Sequence, residues 1–182
     1  MKLGIVYHMP FWRAADGTLR EVEGSFARYV DSLAPYFDEI TLCVPVLSVP
    51  RGDGTPIRSA NVTLTALPPF EGPLHFYPQL PKMIVRLFRF VRDIDVLHCR
   101  VPTPAAVFAF AIAGLLGRPS FVLIVGDLQA LSPAMPYRGI KRQLWRMYTA
   151  FEERNVQRMA ERSLAFANGA ALAAKFPAPR TR

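Results

Sequence analysis

The chain predicts an α/β protein: a doubly wound parallel sheet of about six strands with helices on both faces. Three observations carry this. Short apolar runs alternate with helical patterns along the 182 residues. The runs near the middle lack polar alternation, as strands covered on both faces do. Residues 93–128, DIDVLHCRVPTPAAVFAFAIAGLLGRPSFVLIVGDL, read as one strand–helix–strand unit. Two adjacent parallel strands need such a crossover, which is right-handed almost without exception.

Residues 2–7 form the first strand, and 8–21 a loop holding Pro10, Trp12, Arg13 and Asp16-Gly17. Gly24-Ser25 opens a helix whose Phe26, Val30, Leu33 and Phe37 recur at helical spacing and face the sheet. Residues 39–45 are the second strand. A turn-rich connection, 47–60, is punctuated by Pro50, Gly52, Gly54 and Pro56. Residues 62–67 are the third strand, with Thr63 and Thr65 alternating as at a sheet edge. A loop dense in proline and aromatics, 68–81, leads to a helix over 82–92. There Lys82, Arg86 and Arg89 share one face, and Met83, Leu87 and Phe90 another.

In the central unit, 94–99 is a strand. Pro102 and Pro104 sit where a first helical turn tolerates proline. Residues 105–116 are apolar on all sides, as in a helix packed deep against a sheet. Gly117 stops that helix, and 120–125 is the next strand. A loop over 126–137, a long helix over 139–161, a sixth strand over 164–167 and a short helix over 170–175 complete the pattern. No repeat or linker divides the chain, which reads as one domain over 1–176 with a loose tail over 177–182.

Hydrophobic residues are 51% and charged residues 20%, enough for a core and unlike a disordered chain. Cys43 and Cys99 both fall in strands, which suits buried thiols in a reducing, cytoplasmic setting; no disulfide framework or metal spacing is visible. The start, MKLGIVY, has too short an apolar run for a signal peptide and flows into a strand. The apolar part of 105–125 runs about 13 residues before Arg118 and Pro119, short of the roughly 20 that a membrane span needs. The formal charge is +8 and uneven: six basic and eight acidic residues precede His75, sixteen and six follow from it. Such a balance suits anionic partners.

The expected strand order is 3-2-1-4-5-6. Ligands in such sheets sit outside the carboxyl ends of the strands where the order reverses. Here that lies between Tyr7-His8 and His98-Cys99-Arg100, with Gly126-Asp127 adjacent. HMPFWRAADG follows the first strand, so no G-x-G-x-x-G dinucleotide fingerprint is present, nor any Walker loop. His98 and Arg100 point the same way along a strand and could bind a polar ligand, Arg100 through a phosphate or carboxylate. Equally, His98 could be a satisfied core histidine and Arg100 a solvated cation. His8 could contact ligand or be structural. Gly24 could let a helix N-terminus approach an anion, or simply make a turn. Asp127 could act as a general base or brace its loop. Trp12 and Trp145 could stack on a sugar or lipid, though packing suits Trp145 better. The cations of 82–92 with Arg138, Lys141, Arg142 and Arg146 could meet an anionic membrane or form ordinary solvated faces. No nucleic-acid-binding motif is visible.

Four stretches, in order and spacing, resemble the N-terminal domain of family-4 glycosyltransferases, which have the GT-B fold. EGSFARYVDSLAPYFDEITLCVPV is similar to that family's glycine turn, first helix and second strand. DVLHCR resembles its strand ending D-V-hydrophobic-H-x-H, GRPSFVLIVGDL its G-x-P segment and following strand, and SLAFANGAALAAKF the segment closing its N-terminal domain. The resemblance implies one Rossmann-like half of a two-domain enzyme. This half binds the acceptor, a sugar or a lipid-linked molecule. The other half, which the chain would lack, binds the nucleotide sugar. The expected acceptor contacts are His8, Gly24, His98, Arg100 and Gly126, with Asp127 the catalytic candidate and no metal or other cofactor implied in this chain. The sequence departs from the pattern at Glu23 for a first glycine, Arg100 for a second histidine, and Gly126 for a histidine that contacts the donor. A chain of this kind is expected to be inactive alone and, with the loops at Met9, Pro10, Phe11, Trp12, Leu128 and Leu131 uncovered, to self-associate. It could also lie at the inner membrane face through its basic helices. Two other classes stay open: a non-catalytic module for a partner or anionic surface, and an unrelated small-molecule enzyme on the same fold.

Overall fold

A computed structural model describes residues 1–50, 52–70, 73–131 and 136–177. β1 (Lys2–Val6) leads to two short strands, β2 (Phe11–Arg13) and β3 (Leu19–Glu21), then α1 (Ser25–Leu33) and β4 (Glu39–Pro45). After β5 (Thr55–Pro56) and β6 (Val62–Leu67) come α2 (Pro73–Phe76) and α3 (Leu80–Arg92). The central unit is β7 (Val96–Val101), α4 (Pro104–Leu115) and β8 (Ser120–Ile124). α5 (Leu128–Leu131), α6 (Gly139–Arg162), β9 (Leu164–Ala167) and α7 (Ala170–Lys175) follow.

The main sheet has six parallel strands in the order β6-β4-β1-β7-β8-β9, the order expected from the sequence. β1 lies between β4 and β7, with Val6 in register with both Cys43 and Cys99. Side chains alternate across a strand with period two, and that alternation divides the core. Leu3, Ile5, Ile40, Leu42 and Val44 meet Phe26 and Val30 of α1 on one face. Val6, Cys43, Leu97, Cys99 and Val101 meet the other layer, built from Met83, Leu87 and Phe90 of α3, Ala105 and Ala109 of α4, and Val156 and Met159 of α6. Glycine at position 4 lets α3 come close: a Cβ there would stand 2.3 Å from Ile94 Cδ1 and 2.7 Å from Phe90 Cζ. Both cysteines are free and buried.

The stretch 8–21 departs from expectation. It is a hairpin of β2 and β3, joined by β5 into a three-stranded antiparallel sheet. Asp16-Gly17 makes its turn, with Gly17 at φ +83 and Asp16 accepting the Thr18 N–H at 2.9 Å. Phe11 and Trp12 are 0% and 2% exposed, so the apolar tips expected to lie open are covered. Met9, Pro10 and Leu128 are half-buried. The physical reason is β5, distant in sequence, which supplies a third strand; Trp12 packs so close to Gly54 that a Cβ there would meet its ring at 2.4 Å. Within 68–81, expected as a loop, the chain forms α2 and a 3-10 turn, Tyr77–Gln79. Of the expected tail, 178–182 lies outside the described residues, as does the surrounding of the Leu131 side chain.

Candidate functional site

A cleft of about 750 Å³ opens at the carboxyl ends of the strands, where the order reverses around β1. Tyr7 and His8 come from the end of β1, Pro45 and Leu47 from β4, Pro102 and Thr103 from β7, and Val125, Gly126 and Asp127 from β8. Phe70, His75 and Gln79 form one side wall, and Trp145 and Tyr148 of α6 the other. The lining is mostly apolar and aromatic with a few polar groups, the usual makeup of a site for a small organic ligand.

Of the residues expected at the site, His8, Gly126 and Asp127 line this cleft. His8 is exposed, with its ring edge-on to Tyr7 at 4.5 Å. The crowding around it and the Arg100 charge both lower its pKa. Solvent at its open edge tempers that shift, and at neutral pH the ring is neutral with one nitrogen free to accept a hydrogen bond. Asp127 braces its loop. Its Oδ1 accepts the N–H groups of Gln129 and Ala130 at 2.9 and 3.1 Å, and its Oδ2 takes Lys175 Nζ at 2.7 Å. Burial works to raise its pKa, but Lys175 and these backbone N–H groups outweigh it and hold the carboxylate ionised. A carboxylate so stabilised is a poor proton acceptor, so Asp127 is a structural anion at the cleft floor.

Gly24, His98 and Arg100 lie elsewhere, on the α1 side of the sheet. His98 is 0% exposed, stacked on Phe121 at 4.4 Å and edge-on to Tyr29 at 5.7 Å. Neither ring nitrogen has a hydrogen-bond partner, and burial, aided by Arg100, pushes its pKa down to about 3. Arg100 stacks its guanidinium over Tyr7, Phe26 and Tyr29, 4.6–4.9 Å from each ring centre. Such a cage offsets the cost of half-burying the charge. Gly24 precedes α1 at φ +74, with Thr55 Oγ1 2.3 Å from where a Cβ would stand. The α1 N-terminus it opens is already capped from within, because buried Glu21 accepts the Ala27 N–H at 2.8 Å. The alternation of β7 explains the separation: His98 and Arg100 share the face that meets α1, where Arg100 lies behind the cleft wall at Tyr7.

Sequence reasoning missed several groups at the cleft. Thr103 precedes α4, is 3% exposed, and has a hydroxyl with no partner. Trp145, for which the sequence favours packing over stacking on a ligand, also lines the cleft and has an unpartnered indole N–H. Tyr137, Trp145 and Tyr148 form an aromatic ladder with ring centres 5.4 and 5.6 Å apart. One turn beyond Tyr148, Glu152 is 1% exposed, with both carboxyl oxygens unpartnered. It faces a small hollow that shares Pro102, Gly126, Asp127 and Leu128 with the cleft. Burial pushes its pKa up to about 7. Trp145, Tyr148 and Glu152 stand at helical spacing, the one signal that could have assembled this wall beforehand. Among the described residues, no cluster of His, Cys, Asp and Glu could hold a metal, and no helix is long and apolar enough to cross a membrane.

No protein-family model and no curated protein matches the chain. Among solved structures it is similar to a UGT transferase from Siraitia grosvenorii in complex with UDP, with 14% identity and a TM-score of 0.52, covering 97% of this chain and 50% of that one. It is also similar to a UDP-glucosyltransferase from Polygonum tinctorium capable of glucosylating indoxyl, in complex with 3,4-dichloroaniline, with 13% identity and a TM-score of 0.51, covering 99% of this chain and 51% of that one. At such identities the likeness is one of fold. The chain spans about half the length of both proteins, and what it shares with them is the Rossmann-like, doubly wound sheet.

Proposed function

We propose that this chain is the acceptor-side half of a glycosyltransferase of the family-4 kind, one that moves a sugar from a nucleotide sugar to an acceptor hydroxyl. The observation that carries the reading is the cleft at the carboxyl ends of β1, β7 and β8, in a chain whose fold resembles about half of a UGT transferase in complex with UDP and half of a UDP-glucosyltransferase. Its apolar and aromatic walls suit the hydrophobic part of an acceptor. Neutral His8, the Thr103 hydroxyl and the Trp145 N–H suit its polar end, since buried donors and acceptors without partners are costly and a ligand hydroxyl would satisfy them. Gly126 borders open space at the floor, where a Cβ would meet nothing nearer than Pro102 Cδ at 4.0 Å. In this reading the donor is held by a second wall that these residues do not provide. Transfer needs both substrates in near-attack geometry, so the chain alone binds acceptor without turnover.

The test uses Trp145 as reporter. The chain has two tryptophans, so Trp12→Phe leaves Trp145 as the only indole. Titrating that variant with a panel of aryl and alkyl alcohols should quench or shift its emission saturably, and Tyr148→Ala should weaken binding by about tenfold, the loss of one aromatic contact. A nucleoside diphosphate sugar alone should produce no saturable change and no turnover. A folded protein that ignores the whole alcohol panel, or one that turns over a donor unaided, refutes the assignment.

A further inference from the structure

Most positions in the first half of α6 are exposed. Ile140, Leu144, Met147 and Phe151 are 77%, 58%, 63% and 51% exposed. At about 100° per residue these four positions fall within roughly 60° of arc, so they form one stripe. Scattered exposed apolar side chains are ordinary, but a contiguous apolar row marks an interaction surface. The same line continues into Arg154, Arg158 and Arg162, all exposed. Arg138, Lys141, Arg142 and Arg146, also exposed, stand around the same turns. No acidic residue occurs between 136 and 151. Of the acids further along, Glu152 is buried, Glu153 binds Lys175 at 2.8 Å, and Glu161, which accepts from Gln157 at 2.8 Å, is the one exposed acid near the arginines.

We propose that α6 is an interfacial helix that docks this protein on an anionic lipid surface. The apolar stripe enters the headgroup boundary, and Arg154, Arg158 and Arg162, which continue its line, meet lipid phosphates. Charge complementarity selects this occupant. A second copy of the chain would bring its own row of cations against this one, and a neutral apolar partner would leave Arg154, Arg158 and Arg162 without counter-charge. α3 lies in the same helical layer and adds exposed Val85 and Phe88 beside Lys82 and Arg89. Trp145 and Tyr148, on the neighbouring face of the same turns, line the cleft. Docking through the stripe therefore sets the mouth of the cleft at the lipid surface, and it does so whether or not the chain serves a transferase.

The experiment is flotation of the full chain with vesicles that are about one-third phosphatidylglycerol, against pure phosphatidylcholine vesicles. Binding to the anionic vesicles should be at least about tenfold tighter, since each cation at such a surface multiplies the binding constant by roughly fivefold. It should weaken sharply at about 0.5 M salt. Leu144→Glu with Met147→Glu, both at exposed positions, should lower it by about tenfold or more while the circular dichroism spectrum stays unchanged. Arg154→Gln with Arg158→Gln should lower it by roughly fivefold per charge removed. Equal flotation with neutral and anionic vesicles overturns the proposal, and so does anionic binding untouched by the stripe variant. A dimer in light scattering that the stripe variant dissolves, with no flotation of the unaltered chain, also overturns it and makes a second copy the occupant.

Discussion

Burial governs His98. Its ring sits between Tyr29 and Phe121, fully out of water, with no group to receive or share a proton. In the unfolded chain it titrates near its ordinary 6.5, and in the folded protein near 3. Above about pH 6.5 both states are neutral and this histidine makes stability independent of pH. As pH falls from there toward 3, the unfolded chain takes up a proton that the native state refuses, so stability drops by about 1.4 kcal/mol per unit. His98→Phe should remove that slope. Between pH 6 and 4 the variant should lose roughly 2–3 kcal/mol less than the unaltered protein, read from urea midpoints at each pH. Equal acid sensitivity of the two proteins would show that His98 finds a partner for its proton.

At the scale of elements, the point of interest is how α1 begins. No side chain adjacent in sequence caps it. Its first turn is closed by Glu21, which reaches from β3 to accept the Ala27 N–H. One residue thereby ties the small hairpin to the main sheet's α1 layer. Glu21→Gln keeps an acceptor and should cost under about 1 kcal/mol, whereas Glu21→Ala should cost about 1–3 kcal/mol by leaving a buried N–H unpaired. Urea denaturation separates the two. Hydrogen exchange of β2 and β3 should rise in the alanine variant alone.

Across the whole molecule, Lys175 joins three elements beneath the cleft. Its Nζ bridges Asp127 at 2.7 Å and Glu153 at 2.8 Å, linking α7, the turn after β8, and α6. All three side chains are about three-quarters covered, so the network is less screened than a surface pair. Lys175→Met should cost about 1–2 kcal/mol and leave two carboxylates facing each other. Exchange over 126–131 should accelerate, and alcohol binding at the cleft should weaken several-fold because the floor is no longer braced. Unchanged exchange in that loop would mean that α7 does not hold it.

The sequence by itself determined the layered α/β fold, the strand order and the place of the cleft. These follow from local pattern and from rules of connection. Apolar runs without alternation mark buried parallel strands, right-handed crossovers fix their sequence, and the reversal at β1 fixes where a ligand can sit. It also brought His8, Gly126 and Asp127 to the right end of the sheet. Only the tertiary structure decided which of the remaining candidates face the cleft. The period of two along β7 separates two sets of side chains, and which set meets α1 depends on where the helices land. That placement took His98 and Arg100 into a core of aromatic rings. Likewise β5 pairs with β3 across a long stretch of chain, so no local signal could show that Trp12 is covered. The stripe on α6 was present in the sequence as a helical spacing. Whether a spacing faces core or water is set by what packs beside it, and here Ile140, Leu144, Met147 and Phe151 are left exposed.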